Sequence, residues 1–331
     1  MSTIKDVARL AGVSTSTVSR TLSNRIFVEE ETRKKVLDAV KELNYKPNII
    51  ARGLREGRTY TLAFLVPDIN SLFYPTIMKC IERCASEKGY SLILCNNNES
   101  IEKEKSTIEM LGNRGIDGIL CMSVEDDIRH LVRFQRERKI PVVLVNRGFS
   151  GELSSVSVDN EYGGYLMTTY LLDQGHRKIA GMFGDFGRHR FRERYNGCKR
   201  AMEEYGITDY KKYFIYDVDT IEEAYQRTKK ILSEEDRPTA FFATMDILAI
   251  GIYSGINECG WRIPEDISVV GFDNIFMTEY MTPPLTTYDA PIGTMAEKSV
   301  ECMMAQIDDL EVNNQLILRG ELIERKSVKK I

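Results

Sequence analysis

Eight residues stand where a binding site could be built. Asp68, Phe73, Tyr74, Asn146, Arg147, Asp246 and Asp273 each fall just after a short apolar run, and Arg194 follows another run by a longer loop. Where such runs form parallel strands, their ends open onto the ligand crevice. Phe73 or Tyr74 can lie against the apolar face of a ring. Arg147, Arg194, Asp246 and Asp273 offer charged hydrogen bonds to hydroxyls, stronger than neutral ones. Each residue alone reads as a turn or capping group. Together they read as a site for a small hydroxylated molecule.

The same inventory argues against catalysis. No nucleophile stands out beside a base. Gly181, Gly184 and Gly187 give GxxGxxG rather than the dinucleotide fingerprint, and the sequence has no phosphate loop, GxSxG elbow or HExxH helix. No enzyme activity and no cofactor are therefore expected. The seven cysteines contain no CxxC pair, and with His130, His176 and His189 they form no cluster of zinc-ligand spacing. No metal is expected, and the thiols are expected to be buried and reduced.

A second set of residues suits nucleic acid. Thr15, Ser16 and Arg20 are the candidates for reading bases: arginine can donate two hydrogen bonds to guanine, and hydroxyls can bond bases or phosphates. Charge is divided in the same sense. Residues 1–58 carry 12 Lys+Arg against 7 Asp+Glu, a net +5, which leaves −9 on the rest of a chain of net −4. A basic head on an acidic body turns one end toward phosphate.

Three amphipathic patterns position that second set. Ile4, Val7, Ala8 and Ala11 share one helix face. Gly12 supplies the positive φ that ends the helix, and Ser14 can cap the next. Val18 and Leu22 turn inward there, which leaves Ser16, Arg20 and Ser23 outward. Val36, Ala39, Val40 and Leu43 make the third face, with Glu29, Glu30 and Glu31 at its positive end. Two helices joined by a tight turn, supported by a third, form a helix-turn-helix over residues 1–46. Pro47 then stops the third helix. Asn48 can cap a short segment over 49–55, which contains Gly53 and is marginal as an isolated helix. Residues 47–58 are thus a hinge expected to order on docking.

Residues 59–331 alternate apolar strands (62–66, 91–95, 118–122, 142–145, 179–183, 240–243, 269–271) with helix-length stretches (77–88, 102–114, 165–174, 193–205, 248–259). Alternation of this kind means parallel sheets covered by helices. A length of 331 residues, 43% hydrophobic and 28% charged, suits a globular protein of several domains. No run of about 18 apolar residues would span a membrane, and residues 1–25 hold no apolar signal core. A cytoplasmic protein, on the nucleoid when bound to DNA, is expected.

The head resembles that of the lactose/galactose repressor family of bacterial transcriptional regulators. The match runs through Thr3-Ile4-Lys5-Asp6-Val7-Ala8, Ala11-Gly12-Val13-Ser14, Thr17-Val18-Ser19-Arg20, Thr32-Arg33, Leu43-Asn44-Tyr45, Pro47-Asn48 and Ala51-Arg52. The body resembles the same repressors and periplasmic sugar-binding proteins. It does so at Val66-Pro67-Asp68, Phe73-Tyr74, Asn146-Arg147, Gly175 to Ile179, Arg194, Gly197, Asp246 to Gly251, Ile263-Pro264, Val270 to Asp273 and Pro284 to Thr287.

The resemblance implies an N-terminal all-α helix-turn-helix head plus an α/β two-lobed periplasmic-binding-protein-like domain with Rossmann-like parallel sheets. Crossovers are expected near Asp159, Ala290 and Glu321, with one lobe at about 59–159 and 291–320 and the other at about 160–290 and 321–331. It implies a homodimer on a palindromic double-stranded DNA operator. Thr15, Ser16, Thr17, Ser19 and Arg20 would serve the major groove. Asn48, Arg52, Leu54 and Arg55 would serve the hinge, with Leu54 wedged into the minor groove. It implies a repressor of a carbohydrate-utilisation operon, released by a sugar-like effector. Phosphoprotein-dependent and purine-type corepressed regulators share the architecture. Departures occur at Ser23, Glu29, Asn146 and Met245, where the family often has Asn, Ser, Asp and Asn; Met245 removes a polar contact from the usual pentose or galactoside pocket. The tail after Glu324 lacks leucine heptads for a tetramer zipper.

Leu54→Ala is expected to weaken operator binding while sparing non-specific binding, which is mostly electrostatic. Paired titrations of operator and random DNA check it; equal losses on both would remove the wedge.

Overall fold

The computed structural model describes residues 2–23, 28–45, 57–148 and 151–331. The hinge positions Asn48, Arg52, Leu54 and Arg55 lie outside the described residues. The chain divides into two compact units, Met1–Thr59 and Tyr60–Ile331.

In the first unit, α1 (Ile4–Ala11) begins in a capping box between Thr3 and Asp6 and ends at Gly12, whose φ of 67° is left-handed. Helix α2 (Thr15–Ser23) starts where the Ser14 hydroxyl accepts the Thr17 N–H at 3.1 Å. Helix α3 (Glu30–Glu42) has Glu29 at its N-cap with no side-chain cap bond. Val7, Ala8, Val18, Val36 and Ala39 close the core between the three helices, with Leu22, Val40 and Leu43 packed against it.

The second unit holds two sheets. The first contains β1 (Thr61–Val66), β2 (Ser91–Asn96), β3 (Gly118–Cys121), β4 (Val142–Val145), β5 (Ser154–Val158) and β10 (Gln315–Leu318), in the order β10-β5-β4-β3-β1-β2 and all parallel. Helices α4 (Tyr74–Glu87), α5 (Ile101–Asn113), α6 (Arg129–Arg138) and α11 (Ile292–Asp308) belong to this lobe. The second sheet contains β6 (Ile179–Met182), β7 (Ala240–Ala243), β8 (Ser268–Phe272), β9 (Thr286–Asp289) and β11 (Glu321–Ile323). Its members are parallel except β11, which runs antiparallel to β9. Its helices are α7 (Asn160–Asp173), α8 (His189–Glu204), α9 (Ile221–Leu232) and α10 (Asp246–Glu258). The chain passes between the sheets at Asp159, at Ala290–Pro291 and at Arg319–Gly320.

Strands β5, β9 and β10 are too polar to stand out in the sequence, and their polar groups find partners from far along the chain. The Ser155 hydroxyl donates to Gln315 at 2.6 Å, and Ser154 accepts from Gln306 and from the Asn314 N–H. Buried hydroxyls are tolerated when bonded in this way. Helix α7 begins earlier than the apolar pattern from Tyr165 implies, because Asp159 caps it by accepting the Tyr162 N–H at 2.9 Å.

Helices α7 and α8 meet backbone to backbone. A Cβ on Gly164 would lie 2.2 Å from the Arg194 carbonyl oxygen, and one on Gly197 would lie 2.0 Å from that of Glu161. This contact sets the height at which α8 presents its first two turns. Gly197→Ala is expected to cost about 1–3 kcal/mol or more, since an inserted methyl must force the helices apart. Urea unfolding measures it; an unchanged midpoint would mean that the helix pair has slack.

Candidate functional site

A cleft lies between the two lobes of the second unit, at the carboxyl ends of strands from both sheets. The loop after β1 delivers Ser71, Leu72 and Phe73, and α4 opens with Tyr74. The end of β4 delivers Asn146 and Arg147, with Asn146 held at a φ of 52°. From the other lobe come Arg190 and Arg194 on α8, Met245 and Ile247 at the start of α10, and Asp273 and Ile275 after β8. Asp273 sits at a φ of 116°, a costly conformation for a residue with a Cβ. Its N–H donates to the Tyr288 carbonyl at 2.9 Å.

Of the eight expected residues, Phe73, Tyr74, Asn146, Arg147, Arg194 and Asp273 meet in this cleft. Asp68 and Asp246 do not line it. Asp68 is spent on its own turn, accepting the Asn70 N–H at 3.1 Å and its side-chain amide at 3.0 Å. Asp246 is fully buried behind the cleft wall. Its carboxylate accepts the Thr287 hydroxyl at 2.6 Å and the Ile275 N–H at 2.9 Å. A Cβ at Gly271 would lie 2.0 Å from Asp246 Oδ1, so glycine leaves the carboxylate room beside β8. Asp246 therefore shapes the 273–275 turn and does not line the cleft.

Two of the cationic groups, Arg194 and Arg147, are held firmly. Arg194 is 3% exposed. Its Nε donates to Asn160 at 2.9 Å, Nη1 donates to the Thr244 carbonyl, and Nη2 lies 3.6 Å from Asp273 Oδ1. The Phe272 ring stacks 3.6 Å from its guanidinium carbon. Arg147 donates to the carbonyls of Ser123 and Asn146, both at 2.9 Å. Arg190, which the sequence reading did not single out, is a third cationic lining group. Its one signal was its place four residues before Arg194, on the same helix face. Burial and the charges of Arg147, Arg188 and Arg194 push its pKa down to about 9. Burial pushes Asp273 up to about 7 against the pull of Arg194, and Asp246 up to about 6 against its hydrogen bonds.

Beside the cleft the lobes are tied together. Arg188 pairs with Glu99 at 2.5 Å, and Arg192 with Asp126 at 2.9 Å. Asp126 also accepts the His189 N–H at 2.8 Å.

In the first unit, Thr15, Ser16 and Arg20 are exposed on α2, and Thr17 and Ser19 are half-buried. The Ser14 hydroxyl lies 2.7 Å from that of Ser16 and 2.9 Å from that of Thr17, so the cap also orders the hydroxyls at the start of this helix.

Among the described residues, no helix is long and apolar enough to cross a membrane, and no group of three or more His, Cys, Asp or Glu side chains could hold a metal. The cysteines are free, but not all are buried: Cys80 and Cys95 are half-buried and Cys259 is exposed.

A three-helix head with an exposed second helix, joined in one chain to a two-lobed body with a cleft, defines a class of ligand-responsive DNA-binding regulators. The lacI family of bacterial regulatory proteins matches residues 3–48, and the periplasmic binding protein-like domain matches residues 168–328. The HTH-type transcriptional repressor PurR of Vibrio vulnificus (strain CMCP6) is 40% identical over 335 residues and covers both chains completely. Among solved structures, the lac repressor dimer bound to operator and the anti-inducer ONPF is 26% identical. It has a TM-score of 0.86 over 99% of each chain. A LacI family regulator from Enterococcus faecium with bound ribose is 30% identical, with a TM-score of 0.74 over 82% of this chain and 99% of its own. The chain belongs to the lacI family of bacterial regulators. It is a DNA-binding transcriptional repressor, as its relatives are.

Asp273 gives a pH signature. Its folded pKa of about 7 lies above the ordinary 3.8. Its contribution to stability is therefore full below the unfolded value and is lost as pH rises through the folded one. In Asp273→Asn the amide does not titrate. The stability of the variant relative to wild type is expected to rise steadily from about pH 4 to about pH 8, read by urea unfolding at each pH. A flat difference would place Asp273 in contact with water.

Proposed function

We propose that this repressor reads a near-palindromic operator as a homodimer, and that a purine-type corepressor bound in the cleft draws the lobes together and strengthens operator binding. The observation that carries the ligand class is the apolar share of the cleft lining, Leu72, Phe73, Met245, Ile247 and Ile275, together with Asp273 and Arg194. Flat faces of a planar heterocycle are satisfied by such walls, and its edge nitrogens by the polar pair. Met245 and the two isoleucines offer nothing to the hydroxyl rim of a sugar. The full-length relative named PurR supports the same reading. This favours corepression over the sugar-driven release that the sequence reading expected. The sugar reading rests on the ribose-bound relative, which matches the body at 30% identity.

Coupling requires that ligand and operator prefer the same closure of the lobes, by typically about 1–3 kcal/mol. Two titrations test the proposal. Arg20→Ala is expected to cost about 1–3 kcal/mol on operator if Arg20 reads a base; an equal loss on random DNA would make it a phosphate contact. Adenine, guanine and hypoxanthine, titrated against operator complexes, are expected to tighten binding about 5- to 100-fold. Release by ribose or cellobiose, with no response to the bases, would restore the carbohydrate reading. A response to none of these would leave a protein corepressor.

A further inference from the structure

The cleft carries more positive charge than its own acids answer. Arg147 is 6% exposed and buries Nη2 with no hydrogen-bond partner, while its other two bonds go to neutral carbonyls. Among the described residues, no carboxylate lies within 4.0 Å of Arg190, and no hydrogen-bond acceptor meets it. Its neighbours' acids are engaged elsewhere: Glu99 and Asp185 hold Arg188, and Asp126 holds Arg192. The one carboxylate lining the cleft, Asp273, faces Arg194. Three guanidiniums thus line one cleft with one acid. An orphaned guanidinium donor held away from water is destabilising until something accepts from it. Guanidinium forks match the planar or tetrahedral oxygens of carboxylate and phosphate.

We infer that the cleft ligand carries an anionic group, phosphate or carboxylate, seated between Arg147 and Arg190. This rests on the reading of the cleft as the effector site and deepens it: a phosphorylated or carboxylated ring compound is preferred to its neutral parent. The two arginines come from opposite lobes, Arg147 from the end of β4 and Arg190 from α8. Without an anion their charges oppose closure; an anion between them replaces that repulsion by two attractions. The charge on the ligand is thereby a condition for bringing the lobes together.

Matched pairs measured by calorimetry on the full chain test this: guanosine against its 5′-monophosphate, ribose against ribose 5-phosphate, and glucose against glucuronate. The phosphate pairs distinguish phosphate from carboxylate recognition. At least one charged member is expected to bind tenfold or more tightly than its parent, with the preference falling as salt rises. In Arg190→Gln and Arg147→Gln that preference is expected to shrink to about threefold or less, while each variant keeps the wild-type circular dichroism spectrum and melts cooperatively. If no charged member outbinds its parent, or the preference survives in both folded variants, the inference is overturned. Should neutral purines tighten operator binding without any anion preference, the inference falls and the proposed function stands. Should the anion bind through Arg190 yet leave operator affinity unchanged, the anion site stands and the proposed control of the head falls.

Discussion

The cleft depends on one close approach, that of α7 and α8 through Gly164 and Gly197. Side chains at either position would collide with backbone of the facing helix. With only hydrogens there, the helices meet, and Asn160 at the start of α7 reaches Arg194 on α8 at 2.9 Å. That bond, the Thr244 carbonyl and the Phe272 ring fix a guanidinium that is almost wholly removed from water. Burying a charge so deeply is tolerable because Nε and Nη1 each have an acceptor and an acid stands 3.6 Å away. Arg190, one turn earlier on the same helix, inherits the same placement without the same partners.

A second constraint works from behind. Asp246 begins α10 but does not line the cleft; it ties Ile275 and Thr287 together and so fixes the turn that carries Asp273. Gly271 makes room for this carboxylate within the sheet. Removal from water raises both acids, to about 6 and about 7. The wall of the cleft is thus assembled from buried polar contacts that join α10, β8 and β9. Such contacts order a pocket before ligand arrives, which reduces the cost of binding.

The head follows simpler rules. Its core is five small or β-branched residues, and its turn is set by Gly12 and Ser14. The exposed face of α2 needs only that Val18 be buried for Ser16 and Arg20 to be outward. Short-range periodicity suffices for this helix-turn-helix, while the family is recognised from the residues of the head that match its sequence, not from spacing.

By itself, the sequence determined the elements whose signal is local. Helix faces, caps and apolar strands such as β1, β4 and β7 follow from spacing, because 3.6-residue and unbroken apolar patterns need no knowledge of distant chain. Six of the groups picked out at strand ends meet in the cleft, because the end of a strand in a parallel sheet is a topological position. Tertiary structure alone decided which way a strand-end side chain turns. Asp246 and Asp273 look equivalent in sequence, yet one packs behind the sheet and the other faces the cleft, a difference made by Gly271, Ile275 and Thr287. Tertiary structure likewise decided that Arg190 lines the cleft and that β5 and β9 are strands. Their polar groups are satisfied only by residues far along the chain, such as Gln315 and Ser327. Long-range partners leave no local periodicity, so folding had to bring them together before their roles could be read.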